Sequence, residues 1–245
     1  MPEGPSIVIL REPVQPFIGR KVIRADGNTR KLDLGELEGK KILDFKSWGK
    51  HFLICFKGFT IRVHFMLFGS YRINERRESQ PRLSLQFSGE KELNFYACSV
   101  KRLTESLDEL YDWSADVMNE ERDGDKALVK LQSKPELLVC DALLDQQLFA
   151  GVGNIIKNEV LFRIRVHPLS RIGAMPPEKL KELITEAVRY SFQFLVWKKE
   201  FTLKKHWLAH NQRECPRDQV RFQRQHLGKT HRRSFFCPLC QELYD

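Results

Sequence analysis

Residues 143–168 read LLDQQLFAGVGNIIKNEVLFRIRVHP, and this stretch decides the second half of the fold. Segments with helical apolar spacing flank AGVGN, so a tight turn is predicted at Gly151 and Gly153, followed by a new helix. Asn154 is placed to cap that helix, which then starts at Ile155. A helix N-terminus carries backbone N–H groups without intrahelical acceptors, and these suit a phosphate oxygen. A plain helical hairpin would give the same pattern if GVGN stood alone.

Outward from this stretch the pattern stays helical. PELLVCDALLDQQLF has helical spacing upstream, and PPEKLKELITEAVRYSFQFLVW opens on Pro176 and Pro177 and runs for several turns. The N-terminal half reads differently. KILDFKSW, HFLICF, FTIRVHF, RLSLQF and ELNFYA, between Lys41 and Ala97, alternate apolar and polar positions and predict a β-sandwich or barrel. Ile7, Val8 and Leu10 predict a short helix with Pro5 in its first turn, limited and kinked by Pro13 and Pro16. Between Glu105 and Asp125 an acidic run without strand pattern, including DELYDWSADVMNEERDGD, marks a domain boundary. The expectation is an α+β chain of two domains: an N-terminal β-sandwich over 1–112, a linker over 113–132, a helical bundle over 133–207 and a cysteine-bearing segment over 208–245.

A chain of 245 residues with 42% hydrophobic content can bury two cores of ordinary size. No stretch reaches the roughly 18 apolar residues of a membrane span, and the N-terminus lacks a signal-peptide layout, which predicts a cytoplasmic protein with no membrane partner. The six cysteines do not form a secreted disulfide framework. Cys55, Cys98 and Cys140 sit in apolar neighbourhoods and read as buried thiols. The net charge of +9 lies entirely in residues 151–245, which hold 18 Lys and Arg against 9 Asp and Glu. Within 201–236, nine basic side chains face two acidic ones and interleave with Phe201, Trp207, Phe222, Phe235 and Phe236. That is the footprint of a nucleic-acid-binding surface.

Four further motifs carry chemistry. MPEGP would leave Pro2 with a free secondary amine once Met1 is removed. An α-amino group titrates near 7.7 to 8.0 on a model scale, so part of it is unprotonated at neutral pH and can attack a sugar C1′ to form a Schiff base. Glu3 beside it can donate a proton to the opening sugar ring. In SWGKHF, Lys50 is either a solvent-facing lysine or a positive charge that lowers the Pro2 amine's pKa and holds a phosphate. In HFMLFGSYR, Met66, Leu67 and Phe68 precede a predicted turn at Gly69. They read as core or as a wedge that fills the gap left by a flipped nucleotide. Finally, Cys215, Cys237 and Cys240 suggest a structural zinc site on a β-hairpin. Asp218, at Cys-x2-Asp spacing, is chosen as fourth ligand, with His210, His226 and His231 near enough in sequence to compete.

PEGP, GVGNIIKNEVLF, HP and RRSFFCPLCQ, in this order along nearly the whole chain, resemble the formamidopyrimidine-DNA glycosylase and endonuclease VIII family. The resemblance implies an N-terminal β-sandwich, a helix-two-turn-helix domain and a C-terminal zinc finger, with damaged DNA in the cleft between the halves. It implies Pro2 as Schiff-base nucleophile, Glu3 as acid and Lys50 as the lysine near the lesion phosphate. It further implies Asn154 and Arg232 as phosphate-binding residues, and base excision followed by β- and δ-elimination by a monomer of bacterial, nucleoid-associated type. PEGP, together with the short segment between Trp197 and Cys215, points to the endonuclease VIII branch and to oxidised pyrimidines. The chain departs from the family at Ser6, where many members carry Glu, at the strongly apolar Met66, Leu67 and Phe68, and at Asp218, where most zinc-bearing members have Cys. A non-catalytic DNA-binding protein would share the charge, Asn154 and Arg232, but has no use for Pro2, Glu3 and Lys50. An RNA-binding zinc protein lacks ribonucleoprotein-type aromatic motifs.

Overall fold

Alternating apolar and polar residues build six strands in the first half of the chain: β1 (Arg24–Asp26), β2 (Asp44–Trp48), β3 (His51–Phe56), β4 (Phe59–Ile73), β5 (Leu83–Phe87) and β6 (Lys91–Leu103). The computed structural model describes residues 2–30 and 32–245. The chain divides into two compact units, one ending at Tyr111 and the other beginning at Asp112.

In the first unit the strands form one antiparallel sheet in the order β1-β5-β6-β4-β3-β2. The long strands β4 and β6 bridge its two ends. The first half of β4 pairs with β3 and with the second half of β6, whereas the second half of β4 pairs with the first half of β6, which also holds β5. The two ends meet as the layers of a sandwich, where Phe52 of β3 packs on Phe95 of β6 with ring centroids 5.8 Å apart. Phe45, Phe52, Ile54, Val63, Leu85 and Phe95 fill the space between and are all buried. Each such side chain contributes roughly 1.5–3 kcal/mol of burial free energy. Helix α1 (Gly4–Val14) takes Pro5 in its first turn and buries Ile7, Leu10 and Val14 as it packs on β2 and β3. A short helix, α2 (Leu107–Leu110), with Ser106 as its N-cap, follows the sheet.

The turn expected at Gly69 is instead a bulge within β4. Phe65 pairs with Cys98 and Ser70 with Tyr96, so residues 66–69 stand opposite Ala97 alone. A glycine inside a strand often marks such a bulge or a close backbone approach. Here a Cβ on Gly69 would lie 2.6 Å from the Phe65 Cβ and 2.9 Å from the Ala97 carbonyl oxygen.

The second unit contains α3 (Gly124–Gln132), α4 (Val139–Ala142), α5 (Asn154–Arg163), α6 (Pro177–Lys199) and a hairpin of β7 (Gln223–Leu227) and β8 (Arg232–Phe236). Residues 113–132, read from composition as a connection, carry α3. Asp123 caps this helix through the Lys126 N–H at 2.9 Å, and Ala127 and Leu131 enter the unit's core. PELLVCDALLDQQLF yields only the single turn of α4, because Asp145 draws the following chain into turns. Its side chain accepts from Gln147 N at 2.9 Å, an Asx-type turn that competes with helix continuation. Helices α5 and α6 pack on each other through buried Ile156, Val160, Leu183 and Ala187. No helix among the described residues is long and apolar enough to cross a membrane.

Candidate nucleic-acid interface, catalytic residues and metal centre

The turn before α5 uses its glycines unequally: Gly151 alone is left-handed, with φ of 101°, while Gly153 is extended and serves as the N-cap. Asn154 is therefore the first helical residue, and the expectation that it caps α5 is corrected. Its Nδ2 donates instead to the Arg233 carbonyl at 3.0 Å, tying the turn to β8 beside Arg232.

Three consecutive polar residues of α5 hold the surrounding segments in place. Lys157, Asn158 and Glu159 are each at most 1% exposed. Lys157 Nζ donates to Ser234 Oγ at 2.8 Å. Asn158 Nδ2 donates to the Arg233 carbonyl at 3.3 Å, and its Oδ1 accepts from Phe235 N at 3.2 Å. Glu159 accepts from the backbone N–H groups of Leu208, Ala209 and His210 at 2.8–3.0 Å, and Arg163 lies 3.5 Å away. Buried charges are rare unless satisfied in this way. Sequence reasoning missed all three. The signal was there: II before and VLF after KNE leave no polar face for those residues to occupy.

At the far end of the hairpin, the Asp141 carboxylate of α4 accepts from Lys229 N at 2.9 Å and Thr230 N at 3.4 Å. Arg232, paired with Leu227, thus projects its exposed side chain from a strand anchored at both ends. His210 packs edge-on against Phe235 and lies 3.1 Å through Nδ1 from Asn158 Nδ2. Burial first, and the Lys157 charge second, push its pKa down to about 4, so the ring is neutral at physiological pH.

Cys215, Asp218, Cys237 and Cys240 converge, with their ligand atoms all within 4.8 Å of one another. The Cys215 and Cys240 sulfurs are 3.8 Å apart, and an Asp218 oxygen is 3.2 Å from Cys215 Sγ and 3.1 Å from Cys237 Sγ. Sulfurs bound tetrahedrally to zinc at about 2.3 Å would be about 3.8 Å apart, so the donor set fits a metal of that kind. None of His210, His226 and His231 belongs to the cluster. His210 faces Asn158 instead, and His226 Nδ1 lies against the His231 carbonyl at 2.9 Å.

In the first unit Glu3 is 1% exposed and stands at the N-cap of α1, where its side chain makes no capping hydrogen bond to the helix. Pro2 precedes it, half-buried. Met1, on whose removal the Pro2 amine depends, lies outside the described residues. Lys50 occupies the turn between β2 and β3, the strands on which α1 packs. Around it the unit is electropositive. Burial first, then the Arg62, His64 and Lys50 charges, hold the His51 pKa down at about 3, and burial with Lys50 and Arg62 lowers His64. The bulge presents Met66, Leu67 and Phe68 at 55%, 56% and 83% exposure, so these three are not core.

His51 sets an acid limit on the first unit. Between about pH 6.5 and 3 the unfolded chain binds a proton there that the folded chain excludes, so stability is full above pH 6.5 and falls as pH drops below it. Thermal unfolding at pH 7 and pH 5 should differ by roughly 2 kcal/mol more in the wild type than in His51→Gln. Equal pH dependence in the two proteins would contradict this.

Comparison with known proteins agrees with the resemblance. The formamidopyrimidine-DNA glycosylase N-terminal domain model matches residues 1–99, and the helix-two-turn-helix domain model of the same glycosylase matches residues 114–192. Endonuclease 8-like 2 of Bos taurus is 29% identical, covering 98% of this chain and 96% of its own. Formamidopyrimidine-DNA glycosylase of Lactobacillus helveticus is 27% identical over the full length of both. The crystal structure of Lactococcus lactis formamidopyrimidine-DNA glycosylase, bound to DNA containing an AP site, superposes with a TM-score of 0.84 at 21% identity, covering 98% of this chain and 99% of that one.

Proposed function

Because the chain belongs to the formamidopyrimidine-DNA glycosylase and endonuclease VIII family, we propose that it excises oxidised bases, pyrimidines foremost, through a Schiff base on Pro2, and then cuts the strand. The chain is a DNA glycosylase of base excision repair. One observation in the first unit supports the excision chemistry: a prolyl position and a buried carboxyl group are adjacent at the start of α1, and α1 packs on the two strands whose turn bears Lys50.

The chemistry follows from those groups. With Met1 removed, the Pro2 nitrogen attacks C1′ of the damaged nucleotide while Glu3 donates a proton to the ring oxygen. The C1′–O4′ bond opens, the base leaves with a proton, and an iminium joins Pro2 to the sugar. Loss of a C2′ proton then expels the 3′ phosphate, a further elimination expels the 5′ phosphate, and hydrolysis frees the amine. Lys50 favours the unprotonated amine by like-charge repulsion and offers a counter-charge to a phosphate. Asn154 and Arg232 supply further phosphate contacts, and Met66, Leu67 and Phe68, exposed on the bulge, fill the space of the extruded nucleotide. Cys215, Asp218, Cys237 and Cys240 would hold zinc as a structural ion that clamps the hairpin carrying Arg232. One chain contains every residue invoked, which supports action as a monomer.

Labelled duplexes carrying 5-hydroxyuracil, thymine glycol, 8-oxoguanine or an abasic site test the proposal. Expected are faster cleavage at the two pyrimidine lesions than at 8-oxoguanine, and a gap with phosphate at both ends. Preference for 8-oxoguanine would contradict the pyrimidine assignment, and binding without cleavage at any lesion would contradict catalysis.

A further inference from the structure

Helix α6 ends in a Schellman motif: Phe201 N donates to the Lys198 carbonyl at 3.2 Å and Thr202 N to the Trp197 carbonyl at 2.8 Å. The residue after the C-cap in this motif is left-handed and is usually glycine, since a Cβ there is strained. Here it is Phe201, with φ of 58° and a side chain 96% exposed. A bulky aromatic residue in that conformation, burying almost nothing, does nothing for the fold that glycine would not do better.

Its surroundings are cationic. Lys198 and Lys199 form the last turn of α6, and Lys204 and Lys205 follow in a one-turn helix, Leu203–His206. That turn is held back against α6 by the His206 ring stacked on Trp197, with centroids 4.2 Å apart and planes at 8°. Lys198, Lys204 and Lys205 enter no ion pair among the described residues, and Glu200 is the single acid in the segment 198–206.

The geometry points to a stacking platform for an unpaired nucleobase of a DNA strand, with Phe201 receiving the base and Lys198, Lys204 and Lys205 the flanking phosphates. Base–aromatic stacking tolerates every sequence because every base has a π face, and a cationic rim tracks the backbone. Apart from its two ends, a paired duplex offers no free base face to such a ring. The inference rests on the reading of this chain as a DNA-binding enzyme and adds a contact for single-stranded DNA.

The test measures binding of a labelled oligothymidylate and of an undamaged blunt duplex to the full chain, together with thermal unfolding, for the wild type, Phe201→Gly and Phe201→Trp. Phe201→Gly should bind the oligonucleotide roughly tenfold more weakly, bind the duplex within about twofold of wild type by the same reasoning, and unfold at the same temperature or higher. Phe201→Trp should keep the affinity, and the added tryptophan's emission should be quenched by the oligonucleotide. Wild-type oligonucleotide affinity in Phe201→Gly overturns the platform, as does Phe201-dependent binding to anionic phospholipid vesicles without a loss on the oligonucleotide. A borohydride-trappable protein whose Phe201→Gly variant is unaltered loses only the platform. An untrappable one whose oligonucleotide binding needs Phe201 loses only the excision chemistry.

Discussion

Glu3→Gln is expected to lower base excision by about 10²- to 10⁴-fold, the range for losing a positioned general acid. The substitution keeps size and shape in a site with 1% exposure, and α1 does not depend on the side chain as a cap. The fold and the Pro2 amine should therefore survive, and the loss should fall on the step that needs a proton delivered to the sugar. Single-turnover release of 5-hydroxyuracil measures it. The variant should bind damaged duplex as tightly as wild type, so a fall in affinity that accounts for the lost rate would place Glu3 in binding rather than proton transfer.

Glu159→Ala carries the largest expected effect on stability. One carboxylate satisfies the backbone N–H groups of Leu208, Ala209 and His210 in a fully buried position. Removing it leaves those donors without an acceptor and takes a partner from Arg163. The cost should be about 3 kcal/mol, a fall in unfolding temperature of roughly 10 °C. Because the same helix holds β8 through Lys157 and Asn158, DNA affinity should fall with stability. Unchanged unfolding of the variant would mean that the segment 208–210 is held by something other than this carboxylate.

The sequence was most legible where chemistry demands unusual residues at fixed spacing. Cys215, Asp218, Cys237 and Cys240 were grouped from spacing, and the structure brings these four together without any of the competing histidines. The alternation that predicted strands held because one face of each is buried against the other layer. Legibility failed where tertiary contacts override local pattern. Gly69 has the composition of a turn, yet the pairing of β4 with β6 continues past it, so only the partner strand could reveal a bulge. Asn154 is a strong capping residue, but Gly153 takes the cap and the asparagine reaches to Arg233, 79 residues away. Lys157, Asn158 and Asp141 look like solvated helix residues until the hairpin folds onto them, and Glu159 does until the segment 208–210 folds onto it. What they hold is mostly backbone, which leaves no signature in the sequence of the segments held.

In the proposed reaction the Pro2 nitrogen becomes covalently bound to the sugar of the damaged nucleotide. The direct measurement incubates protein whose Met1 is shown by intact mass to be removed with abasic and 5-hydroxyuracil duplexes and borohydride, beside a Pro2→Gly variant, and sequences the peptide that carries the adduct. A trapped complex on Pro2 is expected in the wild type, and at most a trace in the variant. No adduct from processed protein that binds the same DNA, or an adduct on a lysine such as Lys50, would contradict it.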